Sequence, residues 1–158
     1  MYEPNPMSRN GARTYARVGL ETGVMSASPH QLISLLFSGA KTAINMARHH
    51  MTQHEIAAKG NAISKAINIV ENGLKLGFEA EAGNKAGAAL VANLMALFEY
   101  ISKRLLQANL RNDPALLNEA DRLLDAISSA WREIDPQHRQ QAQTAASALT
   151  PVRSTQGA

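Results

Sequence analysis

The chain has no cysteine, which excludes disulfides and thiolate metal sites. Aromatic residues make up only 4% of its 158 residues, with a single tryptophan. A core must therefore be built mainly from Leu, Ile, Ala and Met. No apolar run is long: Ala86 to Phe98 is the longest, is interrupted by Asn93, and is flanked by Lys85 and Glu99. A membrane-spanning helix needs roughly 20 apolar residues, so no stable membrane insertion is expected. The N-terminal stretch carries Glu3, Arg9, Arg13 and Arg17 without an apolar core, and no signal peptide is read there. The cytosol is the expected compartment.

Catalytic signatures are missing as well. There is no phosphate-binding glycine loop, no Gly-x-Ser-x-Gly elbow and no Cys nucleophile. Inward-facing di-iron sites in bundles need a Glu-x-x-His pair, and the chain has none. His49, His50 and His54 cluster, but with one nearby carboxylate, Glu55, they read as a solvated joint rather than a metal site. Glu119, Asp121 and Asp125 alternate with Arg122 as on a solvated helix face. No enzyme activity, cofactor or metal is expected.

The net charge of +3 and pI of about 9.4 raise the question of nucleic acid. Residues 29–135 hold 11 Lys or Arg and 11 Asp or Glu, so the excess sits at the two ends. A nucleic-acid binder concentrates basic charge on a folded face, so nucleic acid is not an expected partner.

What the chain does have is apolar periodicity. Ile56, Gly60, Ile63, Ile67, Val70 and Leu74 recur in steps of four and three. So do Leu90, Leu94, Leu97, Ile101, Leu105 and Ala108, and then Leu116, Ala120, Leu123, Ile127, Ala130 and Ile134. A broader stripe runs from Leu32 to Ala47. Each set lies on one face of a helix. The expected fold is all-α: an antiparallel four-helix bundle with an irregular N-terminal arm and a disordered C-terminal tail.

Punctuation supports the boundaries. Ser28-Pro29-His30-Gln31 offers a cap, a first-turn proline and a capping-box glutamine. Helix one is expected to reach Met51, and helix two to run from Glu55 to Gly77. Phe78 to Asn84 is expected to turn, with Gly83-Asn84 at the corner. Helix three then spans Lys85 to Asn109. Asp113-Pro114 starts helix four, which runs to Asp135 ahead of Pro136. The organisation reads as an arm over 1–27, a bundle over 28–136 and a polar flexible tail over 137–158, with transient helix over Gln140 to Leu149.

Two features widen the apolar faces. Ile69, Val91, Phe98 and Leu106 fall beside the narrow stripes, as a thicker core or as an outer groove for a guest helix. Gly39, Gly60, Gly73 and Gly77 lie in or at the ends of helices, consistent with close helix packing or with a shallow groove.

Several segments in order resemble one family. Val24-Met25-Ser26-Ala27-Ser28-Pro29-His30-Gln31-Leu32-Ile33 with Leu36-Phe37-Ser38-Gly39-Ala40, then Lys65-Ala66-Ile67-Asn68-Ile69-Val70, then Leu105-Leu106-Gln107-Ala108-Asn109 and Trp131 are similar to the landmarks of the flagellin-specific export chaperones, the FliS family. The chain carries Ser38-Gly39 where that family commonly has Asp-Gly, and its stretch 83–98 is about one turn longer. The resemblance implies a cytosolic helical bundle that binds the disordered C-terminal segment of flagellin in apolar grooves. It further implies that the protein prevents premature polymerisation and presents its cargo to a flagellar export gate component. The family's N-terminal tyrosine maps to Tyr15, in an arm that covers a groove.

On this reading Tyr15, Met25, Leu32, Ile63, Ile67, Asn68, Leu97, Leu105 and Asn109 lie in the guest grooves or under the arm, and each apolar one also has a reading as plain core. The alternative function is a structural helical homo-oligomer or adaptor with no export role, and a homodimer is compatible with either.

Overall fold

The computed structural model describes residues 27–82, 88–134 and 136–149. Helix α1 spans Pro29–Thr52. Helix α2, Ile56–Ile69, passes through a π-helical turn, Val70–Leu74, into α3, Lys75–Ala82, without a break. Then come α4, Ala88–Arg111, α5, Pro114–Glu133, and α6, Pro136–Leu149.

The expected caps form. The Ser28 hydroxyl accepts from the Gln31 amide at 3.2 Å, and the Gln31 side chain accepts from the Ser28 amide at 2.9 Å. Asp113 accepts from the Ala115 amide at 2.9 Å ahead of Pro114. Helix α1 closes with a left-handed residue, His54 at φ 58°. There the Glu55 amide bonds back to the His50 carbonyl and the His54 amide to that of Met51, satisfying carbonyls that a helix end otherwise leaves open.

Each helix of the bundle runs antiparallel to its neighbours. Gly39 meets Ile69, Gly73 meets Leu36 and Gly77 meets Ile33 along the α1 seam with α2 and α3. Lys41 pairs with Asp125, and Arg48 donates to Asn118 at 3.0 Å, between α1 and α5. Lys59 reaches Asn109 from α2 to α4, and Tyr100 bonds Glu119 from α4 to α5. The order around the bundle is therefore α1, α2–α3, α4, α5.

The core gathers Phe37, Phe78, Phe98 and Trp131 at one end. Phe78 lies 5.9 Å from Phe37, 5.3 Å from Phe98 and 4.7 Å from Trp131, centroid to centroid. His30 stacks on the indole at 4.3 Å, and the indole N–H donates to the His30 carbonyl at 3.1 Å. All the phenylalanines and the only tryptophan of the chain are thus spent on one cluster.

Several expectations are corrected. The chain does not turn at Phe78: helix continues to Ala82 and Phe78 is buried. Gly77 is not a stop signal, because a Cβ there would stand 3.2 Å from Ile33; the glycine lets two helices approach. The second apolar stripe is rotated, since Ile56 is 74% exposed while Ala62, Ala66, Val70, Leu74 and Phe78 are buried. Those five are spaced by four, a pattern that drifts about 40° per step on a regular α-helix. The wider π turn absorbs the drift and keeps the row pointing inward. In α5 the buried set is Leu117, Ala120, Leu124, Ile127 and Trp131, while Ala130 and Ile134 are exposed. Phe98 belongs to the core, and Leu90 is exposed. Helix α6 covers the stretch Gln140 to Leu149, where transient helix was expected, and starts earlier, with Pro136 serving as its first residue rather than as the end of α5. The arm up to Ser26 and the Gly83-Asn84 corner lie outside the described residues.

The seam glycines make a paired prediction. At Gly60 a Cβ would meet Asn109 at an ordinary 3.8 Å, so Gly60→Ala should gain about 0.5–1 kcal/mol of helix propensity. At Gly73 a Cβ would stand 3.0 Å from Leu36 Cδ2 and 3.3 Å from Cδ1. Gly73→Ala should therefore lose about 1 kcal/mol or more to overpacking. Urea unfolding of both variants checks the opposite signs.

Candidate partner-binding surface

Among the described residues no three His, Asp or Glu side chains converge as a metal site, and no helix is long and apolar enough to cross a membrane. His50 and His54 are separated by the end of α1, and the His50 Nδ1 lies 2.7 Å from a Glu55 carboxylate oxygen. The noteworthy surface is the seam between α2 and α4.

Exposed apolar side chains border that seam. Ile56 is 74% exposed, Leu106 50% and Leu110 76%, and Ile67 is partly buried against the core edge. Gly60 faces Asn109 there, so the seam has a dip where a side chain would otherwise stand. At its lower end it opens into a pocket of about 370 Å³. Buried Met51 and Lys59 line it together with Ile56, Leu110, Asn109 and Asn112, and His50, His54 and Glu55 complete the lining.

Lys59 is only 4% exposed. Burying an ammonium is costly unless it is partnered. Here Nζ donates to the Asn109 carbonyl at 3.1 Å and to Asn112 Oδ1 at 3.0 Å, at the negative end of the α4 dipole. Asn112 holds the left-handed conformation, φ 53°, that ends α4. The lysine thus ties the first turn of α2 to the last turn of α4 and fixes the seam's width at the pocket.

The upper end of the seam is tied by charge. Lys75 Nζ lies 3.0 Å from Glu71 and 3.6 Å from Glu99. Partial burial pushes the Glu71 carboxyl up, but the Ser102 hydroxyl and the Lys75 ammonium outweigh it and hold it below its ordinary 4.5. On the far side of the bundle, the Lys41 hydrogen bond holds Asp125 below its ordinary 3.8. A carboxyl depressed in the folded state stabilises it above the unfolded value and loses that contribution as pH falls. Thermal melts should therefore hold steady above pH 4.5 and fall below it. Glu71→Gln should make that fall shallower; an unchanged slope would remove Glu71 from the account.

The sequence-predicted residues separate. Ile67, Asn68 and Asn109 lie on or beside the seam. Asn68 is exposed and accepts from Asn72 at 2.6 Å. Ile63 and Leu105 are 1% and 0% exposed, so they take the alternative reading as core: their side chains are consumed by the bundle itself. Leu97 is half-buried on the α5 side of α4, three residues before Tyr100 and seven before Arg104, which both reach Glu119. Leu32 is half-buried in the first turn of α1, away from the seam. Tyr15 and Met25 lie outside the described residues.

Leu110 and Lys59 were missed, and Ile56 was read as inward. The signal for Leu106 and Leu110 is a second apolar pair, four apart, offset by one from the buried Leu105. The signal for Lys59 is its place four residues before buried Ile63, in an otherwise inward row.

A sequence model of the family described as "Flagellar protein FliS" matches residues 11–138. The chain is 49% identical over 127 residues to the "Flagellar secretion chaperone FliS" of Salmonella typhimurium, covering 80% of this chain and 91% of that protein. It is 43% identical over 123 residues to the protein of the same name in Escherichia coli K12, covering 78% and 88%. The Bacillus subtilis protein of that name is 26% identical over 113 residues, covering 72% and 80%.

Proposed function

The chain belongs to the FliS family of flagellar proteins, and from that premise we propose that it is a cytosolic flagellar secretion chaperone whose guest is the disordered C-terminal segment of flagellin. The guest becomes helical as it covers the α2–α4 seam. While bound it is withheld from polymerisation, and the complex is passed to a component of the flagellar export gate. Ile67, Asn68 and Asn109 take part on this reading, joined by Ile56, Leu106 and Leu110. Leu32 and Leu97 serve further stretches of the guest, and Tyr15 and Met25 belong to the covering arm.

The observation that carries the reading is the row of exposed apolar side chains on both sides of one antiparallel seam. Four-helix bundles solvate their outer faces with charge; this seam instead exposes Ile and Leu. Covering Ile56, Leu106 and Leu110 contributes roughly 1–2 kcal/mol each, from the usual value for burying such side chains scaled by their exposure. Ordering a disordered guest costs about 2–5 kcal/mol or more. One seam therefore roughly offsets the cost, and tight binding requires the guest to extend over further faces of the bundle. Leu35, Met46 and Leu76 on α1 and α3, 50–58% exposed, offer such a continuation.

Calorimetric titration of the full chain with the C-terminal segment of its own flagellin tests this, read alongside circular dichroism. One-to-one binding with a negative heat-capacity change and a gain of helix is expected. Absence of binding at about 50 μM, a level where even weak specific complexes form, contradicts it. Stable self-association of the protein alone would favour the homo-oligomer instead.

A further inference from the structure

The pocket at the lower end of the seam is rich in donors. Lys59 is 4% exposed, and its Nζ has two acceptors, the Asn109 carbonyl at 3.1 Å and Asn112 Oδ1 at 3.0 Å. An ammonium carries three N–H donors, so one remains after these bonds. Both acceptors are neutral, and among the described residues no carboxylate lies within 4.0 Å of Nζ. Because Asn112 turns its oxygen to Lys59, its amide NH2 is left as a donor.

Nothing else in the lining supplies a counter-charge. Glu55 is its one carboxylate among the described residues, and His50 Nδ1 holds Glu55 Oε2 at 2.7 Å. Glu55 also stands at the cap position of α2 without bonding to the first-turn amides, so those amides remain open. His50 and His54 carry no negative charge in either protonation state. The rest is apolar: buried Met51 with the outward Ile56 and Leu110. A buried ammonium and an amide donor among apolar side chains match a carboxylate carried by an apolar residue. Ligand pockets span roughly 300–1,000 Å³, and this one, at about 370 Å³, suits the end of a chain rather than a length of it. Its place agrees. The pocket lies where α2 begins and α4 finishes, with His54 and Asn112 of the two joints in its lining. A guest lying along the seam has no further seam beyond this point.

We propose that this pocket takes the C-terminal α-carboxylate of the guest chain. Lys59 Nζ and the Asn112 amide are its donors, and Met51, Ile56 and Leu110 surround the last side chain. The proposal rests on the reading of the seam as the site for the C-terminal segment of flagellin, and adds the guest's direction and register. With its end here, a helical guest runs parallel to α4 and antiparallel to α2. Its negative end then meets the positive end of α2. A chain has one such carboxylate, so a single contact sets the register of the whole segment.

The test titrates the full chain with the C-terminal segment of its own flagellin, labelled at its N-terminus, as free acid and as C-terminal amide. Fluorescence anisotropy reads both. The acid should bind at least about 10-fold tighter, the scale of one charge-assisted hydrogen bond. Lys59→Met, checked for folding by thermal melting, should bind both forms alike. Asn112→Gly keeps the left-handed backbone, φ 53°, which glycine adopts freely, and removes only the side chain. It should lower the preference by about 3-fold, the scale of a neutral hydrogen bond. Where Lys59→Met does not fold, Asn112→Gly decides alone. Lys65→Met removes the same charge from an exposed position outside the pocket and should keep the preference. Equal binding of acid and amide, a preference that survives the pocket variants, or one lost equally in Lys65→Met overturns the pocket assignment and leaves the flagellin reading standing. Failure of both forms to bind contradicts the flagellin reading itself, and the pocket assignment with it.

Discussion

Leu106→Asp combined with Leu110→Asp should weaken binding of the flagellin segment by about 100-fold, while the melting temperature moves by no more than a few degrees. The two side chains are 50% and 76% exposed, so the free protein loses little packing. In the complex each contributes roughly 1–2 kcal/mol of burial, and each carboxylate then faces an apolar guest surface it cannot satisfy. A total near 3 kcal/mol is about two decades of affinity. The neighbouring position is the control. Leu105 is fully buried, and Leu105→Asp should unfold the protein outright by placing a charge in the core. Adjacent residues on one helix thus have separate expected outcomes, one on binding and one on folding. Isothermal titration and thermal melting measure both. Unchanged binding in the double variant would take the seam out of the guest site.

Trp131→Ala should cost about 3–5 kcal/mol, the usual range for deleting a buried large aromatic. The indole packs 4.7 Å from Phe78 and 4.3 Å from His30, and its N–H closes α5 onto the start of α1 through the His30 carbonyl. Removing it leaves a cavity at the end of the bundle where α1, α3, α4 and α5 meet. For a domain of this size the melting temperature should fall by more than about 10 °C. Trp131→Phe should recover part of the loss, because it restores area but not the hydrogen bond. A fall of less than about 1 kcal/mol, the scale of a surface change, would show that the aromatic cluster is not what closes that end.

Much of the fold was legible because it is written in local chemistry. Ser28 with Gln31, and Asp113 with Pro114, mark helix starts through side chains that meet their own backbone. The apolar stripes identify the helices even where their phase is misjudged. Phase was lost for physical reasons. In α5, Leu116-Leu117 and Leu123-Leu124 are doublets that fit two inward faces equally well, and only the burial of Trp131 selects one. In α2 and α3 a strict four-residue spacing is inward only because of the π turn, which no local pattern announces. Gly77 and Pro136 were read as stops, but a glycine also admits a close neighbour and a proline also begins a helix.

The candidate surface was less legible, because an outward apolar residue and an inward one share the same side chain. Ile63 and Ile67 sit one turn apart in the same stripe, and only packing shows that the first is core and the second reaches the edge. Leu105 and Leu106 divide in the same way.

Methyl NMR of the Ile and Leu side chains, with and without the C-terminal segment of the protein's own flagellin, shows whether that segment covers the α2–α4 seam. Large shifts are expected at Ile56, Ile67, Leu106 and Leu110, with Leu117 and Leu124 in the core at the α5 side nearly still. Shifts confined to other faces, with those four unmoved while the segment binds, would contradict it.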